Sequence, residues 1–559
     1  MCGIFGILNH ANPTIRYFRE MEYQMNNGKN RGPEYSCLKN CHNKIFLGFH
    51  RLAINGLNPE SHQPLEIDDC LLVCNGEIYN YKQLYSMINI SPKTDSDCEI
   101  IIHLYKKYGF THMLEMLDGV FAFILVDKSN KTTYVGRDIF GVRPLFIGNK
   151  DKEIGFASEI KMLSPHFENI EPFMPGTYSI YKLSYKNNIY WIPQIINNSY
   201  FNGYVVNNLN NDNIVELGDL QKLQNSYCLK IKDALMNAVK KRVQNTDRPI
   251  ACLLSGGLDS SLITSIVNHV RPNKEKKLET YSIGLEGSED LKYAKIVANY
   301  LGTNHHEIVV SEKAFLDAIP EVIEAIESYD TTTVRASVGN YLVSKYIKKH
   351  SKAKVIFNGD GSDEITGGYL YFHKAPDSIE FDKECKRLLK DLHYFDVLRS
   401  DRCIASHGLE ARTPFLDKNF VTTYLSVPLE LRNHNLQNNC EKYLLRKSFE
   451  NSGFLPNEVL YRTKEAFSDG VSKQTKSWYE IIQEHLEDKK INCYELHEHN
   501  QPTTKEQYYY REIFDQKYPN SQYVIPYFWM PKFVNATDSS ARTLDIYKKK
   551  SNETINEVL

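Results

Sequence analysis

The chain has 559 residues, 24% of them charged, and a formal net charge of −2. That length carries two or three domains with real cores, and the near-neutral balance leaves no bulk electrostatic footprint for nucleic acid or an acidic membrane. No apolar stretch approaches the ~20 residues that a bilayer-spanning helix needs, the opening segment is too interrupted for a signal peptide, and 12 cysteines without a dense framework fit the reduced thiols of a cytoplasmic protein.

The first element opens Met1-Cys2-Gly3-Ile4-Phe5-Gly6-Ile7. Removal of Met1 makes Cys2 the N-terminus, and its thiol then shares one residue with a free α-amine. The thiolate is the nucleophile, and the amine, with a reference pKa near ~8, takes the thiol proton directly or through one water. That pair suits attack on an amide carbonyl, although Ile4, Phe5 and Ile7 also read as plain buried strand. Downstream, Leu71-Leu72-Val73-Cys74 reads as a short strand that ends in a sharp turn at Asn75-Gly76-Glu77. A turn there aims the Asn75 amide and the Gly76 N–H at one point, the two donors an acyl oxyanion needs. Arg51 offers a cation for an α-carboxylate, and Asn75, Glu77 and Asp97 offer acceptors for an α-ammonium, a set that fits a free amino acid. The Cys-x₃-Cys pairs at 37/41 and 70/74 are not metal sites on this reading. In an extended strand such residues lie ~13 Å apart, so they read as small buried apolar side chains.

Cys2-Gly3-Ile4, Arg31-Gly32-Pro33, His50-Arg51-Leu52, Asn75-Gly76-Glu77-Ile78-Tyr79-Asn80 and Ser96-Asp97 together resemble the glutaminase domain of N-terminal-nucleophile amidotransferases. The resemblance implies that glutamine is the amide and ammonia the product. It implies glutamine contacts from Arg51, Leu52, Ala53, Ile54, Asn55, Asn75, Gly76, Glu77 and Asp97, with an apolar residue more usual in the family at position 55. Alternating runs, including 121–127 and 132–135, fit the stacked antiparallel sheets flanked by helices (an αββα domain) that the resemblance implies over 2–195.

Residues 196–226 are rich in Asn and Gly and read as a linker. From Leu229 strands and helices alternate, which predicts a doubly wound, mostly parallel α/β sheet over 227–535 with ligands at the carboxyl ends of its strands. The apolar run 249–254 breaks into Ser255-Gly256-Gly257-Leu258-Asp259-Ser260-Ser261 and resumes at helical spacing. Glycine N–H groups, serine hydroxyls and a helix N-terminus make an anion cradle there. The loop lacks the Lys of G-x-x-x-x-G-K-[ST] and so is not a Walker A site; it resembles the pyrophosphatase-type loop of enzymes that cleave ATP to AMP and pyrophosphate. His305-His306 reads as a packed or surface pair, since no H-E-x-x-H follows. A second strand-to-loop junction, Asn358-Gly359-Asp360-Gly361-Ser362-Asp363-Glu364, is acidic and glycine-rich, and Asp259 with Asp363 is a plausible carboxylate pair for Mg²⁺ on phosphate. Residues 536–559 are polar and poorly periodic and read as a loosely ordered tail.

Added to these loops, Tyr281-Ser282-Ile283-Gly284, Thr332-Thr333-Val334-Arg335-Ala336-Ser337, Gly408-Leu409-Glu410-Ala411-Arg412-Thr413-Pro414-Phe415, Glu441-Lys442 and Lys464-Glu465-Ala466-Phe467 resemble the synthetase domain of the glutamine-hydrolysing asparagine synthetases. The resemblance runs from Cys2 to about Leu544. It implies that aspartate attacks the α-phosphate of ATP, that ammonia then displaces AMP, and that an internal tunnel carries the ammonia. It implies an ATP site of Leu254, Ser255, Gly256, Gly257, Asp259, Ser260, Ile283, Asn358 and Gly359. It also implies charge compensation by Lys442 and Mg²⁺, aspartate recognition by Thr332, Thr333 and Arg335, and a chemical role for Asp360. Partners are the small molecules glutamine, aspartate and ATP, and a homodimer is compatible with the family. The chain departs from the family string Ser-Gly-Glu-Gly-Ser-Asp-Glu at Asn358 and at Asp360, which is one methylene shorter. A sister enzyme adenylating another carboxylate and an inactive interaction protein are the competing readings. Cys2 and the 332–337 match speak against the first, and the intact motif residues against the second.

Overall fold

The computed structural model describes the chain except residues 11–13, 42, 186–188, 205–206, 208–216, 438, 474, 494–495 and 545–559. The N-terminal half holds two six-stranded antiparallel sheets. The first runs in the order β10 (Asn169–Pro172), β8 (Phe146–Lys150), β9 (Glu153–Ala157), β1 (Gly3–Leu8), β3 (Ile45–Arg51), β2 (Tyr35–Cys41). The second runs β12 (Tyr190–Ser199), β11 (Thr177–Ser184), β7 (Thr132–Arg137), β6 (Gly119–Asp127), β5 (Cys70–Ile78), β4 (Leu65–Ile67). Because successive side chains leave opposite faces of a strand, each strand supplies two cores. Ile4 and Leu8 of β1 meet Leu71 and Val73 of β5 between the sheets, while Phe5 and Ile7 meet Met21 and Met25 of the helix Ile15–Asn26. On the far side Leu72 and Cys74 pack on the helix Ile100–Tyr108. Helix, sheet, sheet and helix are thus stacked as the sequence pattern implied.

The C-terminal half is built on a five-stranded sheet, β15 (Asn304–Val310), β14 (Glu279–Leu285), β13 (Ile250–Leu253), β16 (Val355–Phe357), β17 (Glu410–Arg412), with every pairing parallel. Tyr281, Ile283 and Ile356 enter one core with the helix Thr331–His350. Cys252 and Phe357 enter another with the helices Leu217–Gln244 and Leu258–Val270. Strand order reverses between β13 and β16, so the loops following these two strands splay apart and leave a crevice at their carboxyl ends.

Three expectations are corrected by the backbone. Asn75 and Gly76 do not turn: β5 continues through them, with Asn75 opposite Ala122, Gly76 opposite Phe121 and Glu77 opposite Val120. A Cβ on Gly76 would lie 2.5 Å from the Val120 carbonyl, so the glycine serves close strand approach rather than a bend. The supposed linker is shorter than 196–226, since β12 reaches Ser199 and the helix Leu217–Gln244 begins well before 227; residues 208–216 lie outside the described residues. Residues 536–544 are not loose: Asp538 pairs with Arg335, the Ser540 hydroxyl donates to Asp469 and Leu544 is buried. Among the described residues no helix is long and apolar enough to cross a membrane.

The halves meet through buried charges. Arg31 pairs with Asp401 at 2.8 Å and with Glu159 at 3.2 Å. Arg143 stands 3.6 Å from Glu410, and Glu327 accepts from the backbone N–H groups of Ile160 and Lys161 at 2.8 and 2.9 Å. Losing one partner of such a pair strands the other without compensation, so the contacts fix how the two halves sit.

Candidate active sites

Cys2 stands just before β1, half-buried, with its Sγ donating to the Leu52 carbonyl at 3.6 Å. Met1 is still in place and fully buried; its ammonium donates to Leu409 O at 3.1 Å, and its sulfur lies against Arg31 and Arg143. Burial pushes the Cys2 thiol up to about 11 and the Met1 ammonium down to about 5. In this unprocessed form the Cys2 nitrogen is a peptide nitrogen, and the thiol has no base on its own residue.

Of the expected glutamine-site residues, Leu52 accepts from Cys2, and Glu77 and Arg51 stand within electrostatic reach of its thiol. The side-chain amide of Asn75 is fully buried, and neither its nitrogen nor its oxygen has a partner among the described residues. Such a group is costly unless something arrives to meet it. On one edge of β5 the N–H groups of Cys74 and Ile78 go to Gln63 Oε1 and Asp97 Oδ2, both at 2.6 Å. The pleat aims the Gly76 N–H at that same edge. Glu77 accepts from Asn55 at 2.6 Å and Asn245 at 3.1 Å. Burial lifts the Asp97 carboxyl to about 6 and, with Glu410 and Asp97 nearby, raises Glu77 well above the carboxylate range. Arg51 is buried, and its hydrogen-bond acceptors among the described residues are uncharged: the carbonyls of Asn55, Gly56 and Asn58, and His62 Nδ1 at 2.7 Å. A buried guanidinium on neutral acceptors is a ready receptor for a carboxylate. Leu52, Ala53 and Ile54 are buried in the turn that leaves β3.

The second site is a cleft of about 200 Å³ at the carboxyl ends of β13 and β16. Leu254, Ser255, Gly257, Asp259 and Ser260 line it from the first loop, Asn358, Gly359, Asp360 and Asp363 from the second, and Ile283 from β14. Gly256 shapes the first loop from behind: it has φ +75°, and a Cβ there would come within 2.3 Å of the Ala294 nitrogen. The Ser255 and Ser260 hydroxyls share a hydrogen bond of 2.9 Å, closing the cradle. Ser362 Oγ donates to Asp259 at 2.8 Å and ties the two loops.

Lys442 Nζ lies between the acidic pair, 2.5 Å from Asp259 and 2.7 Å from Asp363, and Lys464 Nζ sits 2.6 Å from the other oxygen of Asp363. Burial would raise the Asp363 carboxyl, but Lys442 and Lys464 outweigh it and hold it down at about 2. Asp360 accepts from Arg399 at 3.0 Å through one oxygen, and its other oxygen has no hydrogen-bond partner among the described residues. Asn358 turns its amide to Ser400 Oγ at 2.6 Å. His305 meets the hydroxyls of Thr280 and Ser282, and His306 stacks on Tyr281, so the histidine pair packs on the sheet.

Thr332 and Thr333 line the cleft, but Arg335 does not. Its guanidinium makes two hydrogen bonds to Glu506, at 2.8 and 2.6 Å, and two to Asp538, at 2.7 and 2.8 Å. Glu506 and Asp538 engage four of its five N–H groups and the fifth faces Ser539 Oγ at 3.5 Å, so in this structure the guanidinium braces the helix Thr331–His350 and does not line the cleft. Sequence reading passed over Lys464 and Arg399. The first lay within a quoted motif and was assigned no role; nothing in the local sequence singled out the second.

A family model described as asparagine synthase matches residues 230–381 and 378–534, and one described as a glutamine amidotransferase domain matches residues 1–190. The glutamine-hydrolysing asparagine synthetase of Gallus gallus is 43% identical over 575 residues, covering 99% of this chain and 100% of that protein. The protein of the same description from Homo sapiens is 42% identical over 574 residues, covering 98% and 99%.

Proposed function

This chain belongs to the glutamine-hydrolysing asparagine synthetases, and from that premise we propose how its two sites divide the synthesis of asparagine from aspartate, ATP and glutamine. The observation that carries the proposal is a pair of loops at the carboxyl ends of parallel strands, braced by Lys442 and Lys464, in one chain with a Cys2 thiol against Leu52 and an unpartnered buried Asn75 amide.

Once Met1 is removed, the freed Cys2 amine takes the thiol proton, and the thiolate adds to the glutamine amide carbon. Asn75 and the Gly76 N–H receive the oxyanion, Arg51 the α-carboxylate, and Glu77 with Asp97 the α-ammonium. Ammonia leaves, and water hydrolyses the thioester to glutamate. At the second cleft the aspartate side-chain carboxylate attacks the α-phosphorus of ATP in line, giving β-aspartyl-AMP and pyrophosphate. Lys442 and Lys464 offset phosphate charge, and the first loop cradles the phosphates. Asp259 and Asp363 fit Mg²⁺: both carboxylates reach one ammonium, and two such oxygens plus phosphate oxygens are the donor set this ion takes. When bound it would neutralise charge on the departing pyrophosphate. Thr332 and Thr333 face aspartate from the cleft wall, and Arg335, tied to Glu506 and Asp538, supports the helix that carries them. Ammonia, passing by way of the buried residues Leu409, Glu410, Asp401 and Ser400, attacks the acyl carbon of β-aspartyl-AMP, and AMP leaves with the bonding pair to give asparagine.

Incubation with aspartate, ATP, Mg²⁺ and glutamine tests the reading: asparagine, AMP, pyrophosphate and glutamate are the expected products, and ADP in place of AMP rejects it. Asp360→Glu tests the departure from the family. Asn358 is anchored on Ser400 and Asp360 on Arg399, which supports a site re-formed around the shorter side chain. The longer side chain, reaching ~1 Å further, is then expected to lower synthesis by a few-fold with either nitrogen source. Asparagine, glutamate and pyrophosphate measured together decide it, and a gain in asparagine per glutamine consumed would mean that Asp360 is held short of its optimum.

A further inference from the structure

Two of the groups that surround Glu77 come from the other half of the molecule. Arg412 Nη2 stands 3.2 Å from Glu77 Oε2, and Asn245 Nδ2 donates to the same oxygen at 3.1 Å. Arg412 is fully buried on β17. Its Nε donates to Glu410 at 2.7 Å and its Nη1 to the Arg242 carbonyl at 2.8 Å, while Nη2 completes no hydrogen bond among the described residues and meets Glu77 as a charge contact. At its backbone the same residue touches the other site: Arg412 O accepts from the N–H of Asn358, the first residue of the second nucleotide loop, at 3.1 Å.

We propose that Arg412, seconded by Asn245, is a positioning residue of the glutamine site contributed by the synthetase domain, aiming the Glu77 carboxyl at the α-ammonium so that glutamine affinity depends on the strand beside the nucleotide loop. The proposal rests on the reading above that Glu77 receives this ammonium. Its physical basis is the cost of a carboxylate buried among other carboxylates. The groups facing Glu77 are Arg412 and Arg143, which favour its charge, and Glu410 and Asp97, which oppose it together with burial. Burial and the two carboxylates lift Glu77 well above the carboxylate range even with Arg412 in place; without Arg412 it rises further, and the neutral acid receives an ammonium far less well. Asn55 at 2.6 Å fixes the carboxylate from the amidotransferase side, where the family more often has an apolar residue.

The test uses the full-length enzyme and the variants Arg412→Met, Arg412→Lys, Asn245→Leu and Glu77→Gln. Glutaminase kinetics are measured from pH 6 to 8, alongside ammonia-dependent synthesis. Arg412→Met is expected to raise the glutamine KM about tenfold or more with kcat within about threefold, the size of a lost interaction with a charged group. That KM should fall more steeply with rising pH than the parent's, as Glu77 ionises again, and Arg412→Lys should recover part of the loss. Asn245→Leu should raise KM a few-fold. An unchanged glutamine KM in Arg412→Met, while Glu77→Gln raises it, overturns the proposal; an unchanged KM in both removes the reading of Glu77 instead. Equal losses of glutaminase and ammonia-dependent activity would show a merely structural role and also overturn it. Should Arg412→Met fail to fold, Arg412→Lys and Asn245→Leu carry the test, and a flat KM in both is decisive against it.

Discussion

Cys2→Ala is expected to abolish asparagine formation from glutamine, by at least about a thousandfold, while synthesis from ammonium salts stays within about twofold of the parent enzyme. The asymmetry follows from where the residue sits. Cys2 precedes β1 and touches the Leu52 carbonyl, in the half remote from the nucleotide loops. Alanine removes the sulfur that forms the thioester, and the volume lost is one half-buried atom just ahead of the strand. Product analysis with each nitrogen source in turn checks the result. A protein that keeps Met1, as judged by intact mass, yet hydrolyses glutamine at full rate would refute the role of the Cys2 amine. With Met1 present that nitrogen is an amide, and burial pushes the thiol up to about 11.

Asp259→Asn should produce the complementary phenotype, loss of synthesis by about a hundredfold or more with both nitrogen sources while basal glutaminase persists. Asp259 accepts from Ser362 Oγ and Lys442 Nζ and so joins the two loops that must close on the nucleotide. The neutral amide keeps the shape and removes the charge. Lys442 is left with Asp363 alone, and the carboxylate pair that fits Mg²⁺ is broken. Pyrophosphate release in the presence of aspartate reads the effect directly. Near-normal release would dismiss the pairing of Asp259 with Asp363 as the metal-holding set.

Much of this architecture could be read from residue order, because its signals are local. The alternating apolar runs before residue 195 predict two-faced strands, and the Ser255-Gly256-Gly257 break between a strand and a helix marks an anion cradle. The misreadings arose where a local signal had a distant cause. Asn-Gly is a turn signal when the strand beyond it has to reverse. Here Gly76 answers the carbonyl of Val120 on the neighbouring strand, 44 residues further along the chain, so the chain runs straight on. Arg335 shares a motif with Thr332 and Thr333, but its partners Glu506 and Asp538 lie 171 and 203 residues further along. Neither partner belongs to any motif, so short-range reasoning had no means of taking the guanidinium out of the cleft. Lys464 and Arg399 were missed for the same reason: their meaning is the carboxylate each one faces across the fold.

The packing of residues 536–544 bears on how little of the chain can be removed without harm. A protein cut after Asn535 would retain every residue of both nucleotide loops and every glutamine-facing group, and a motif search would score it as intact. It would nonetheless lose Asp538, half of the counter-charge on buried Arg335, and Ser540, which donates to buried Asp469. Ser539, Ala541 and Leu544, which wall one side of the cleft, would go with them. Allelic truncation, proteolytic clipping or a shortened expression clone ending there would therefore yield a protein complete by inspection and open to water at its nucleotide cleft.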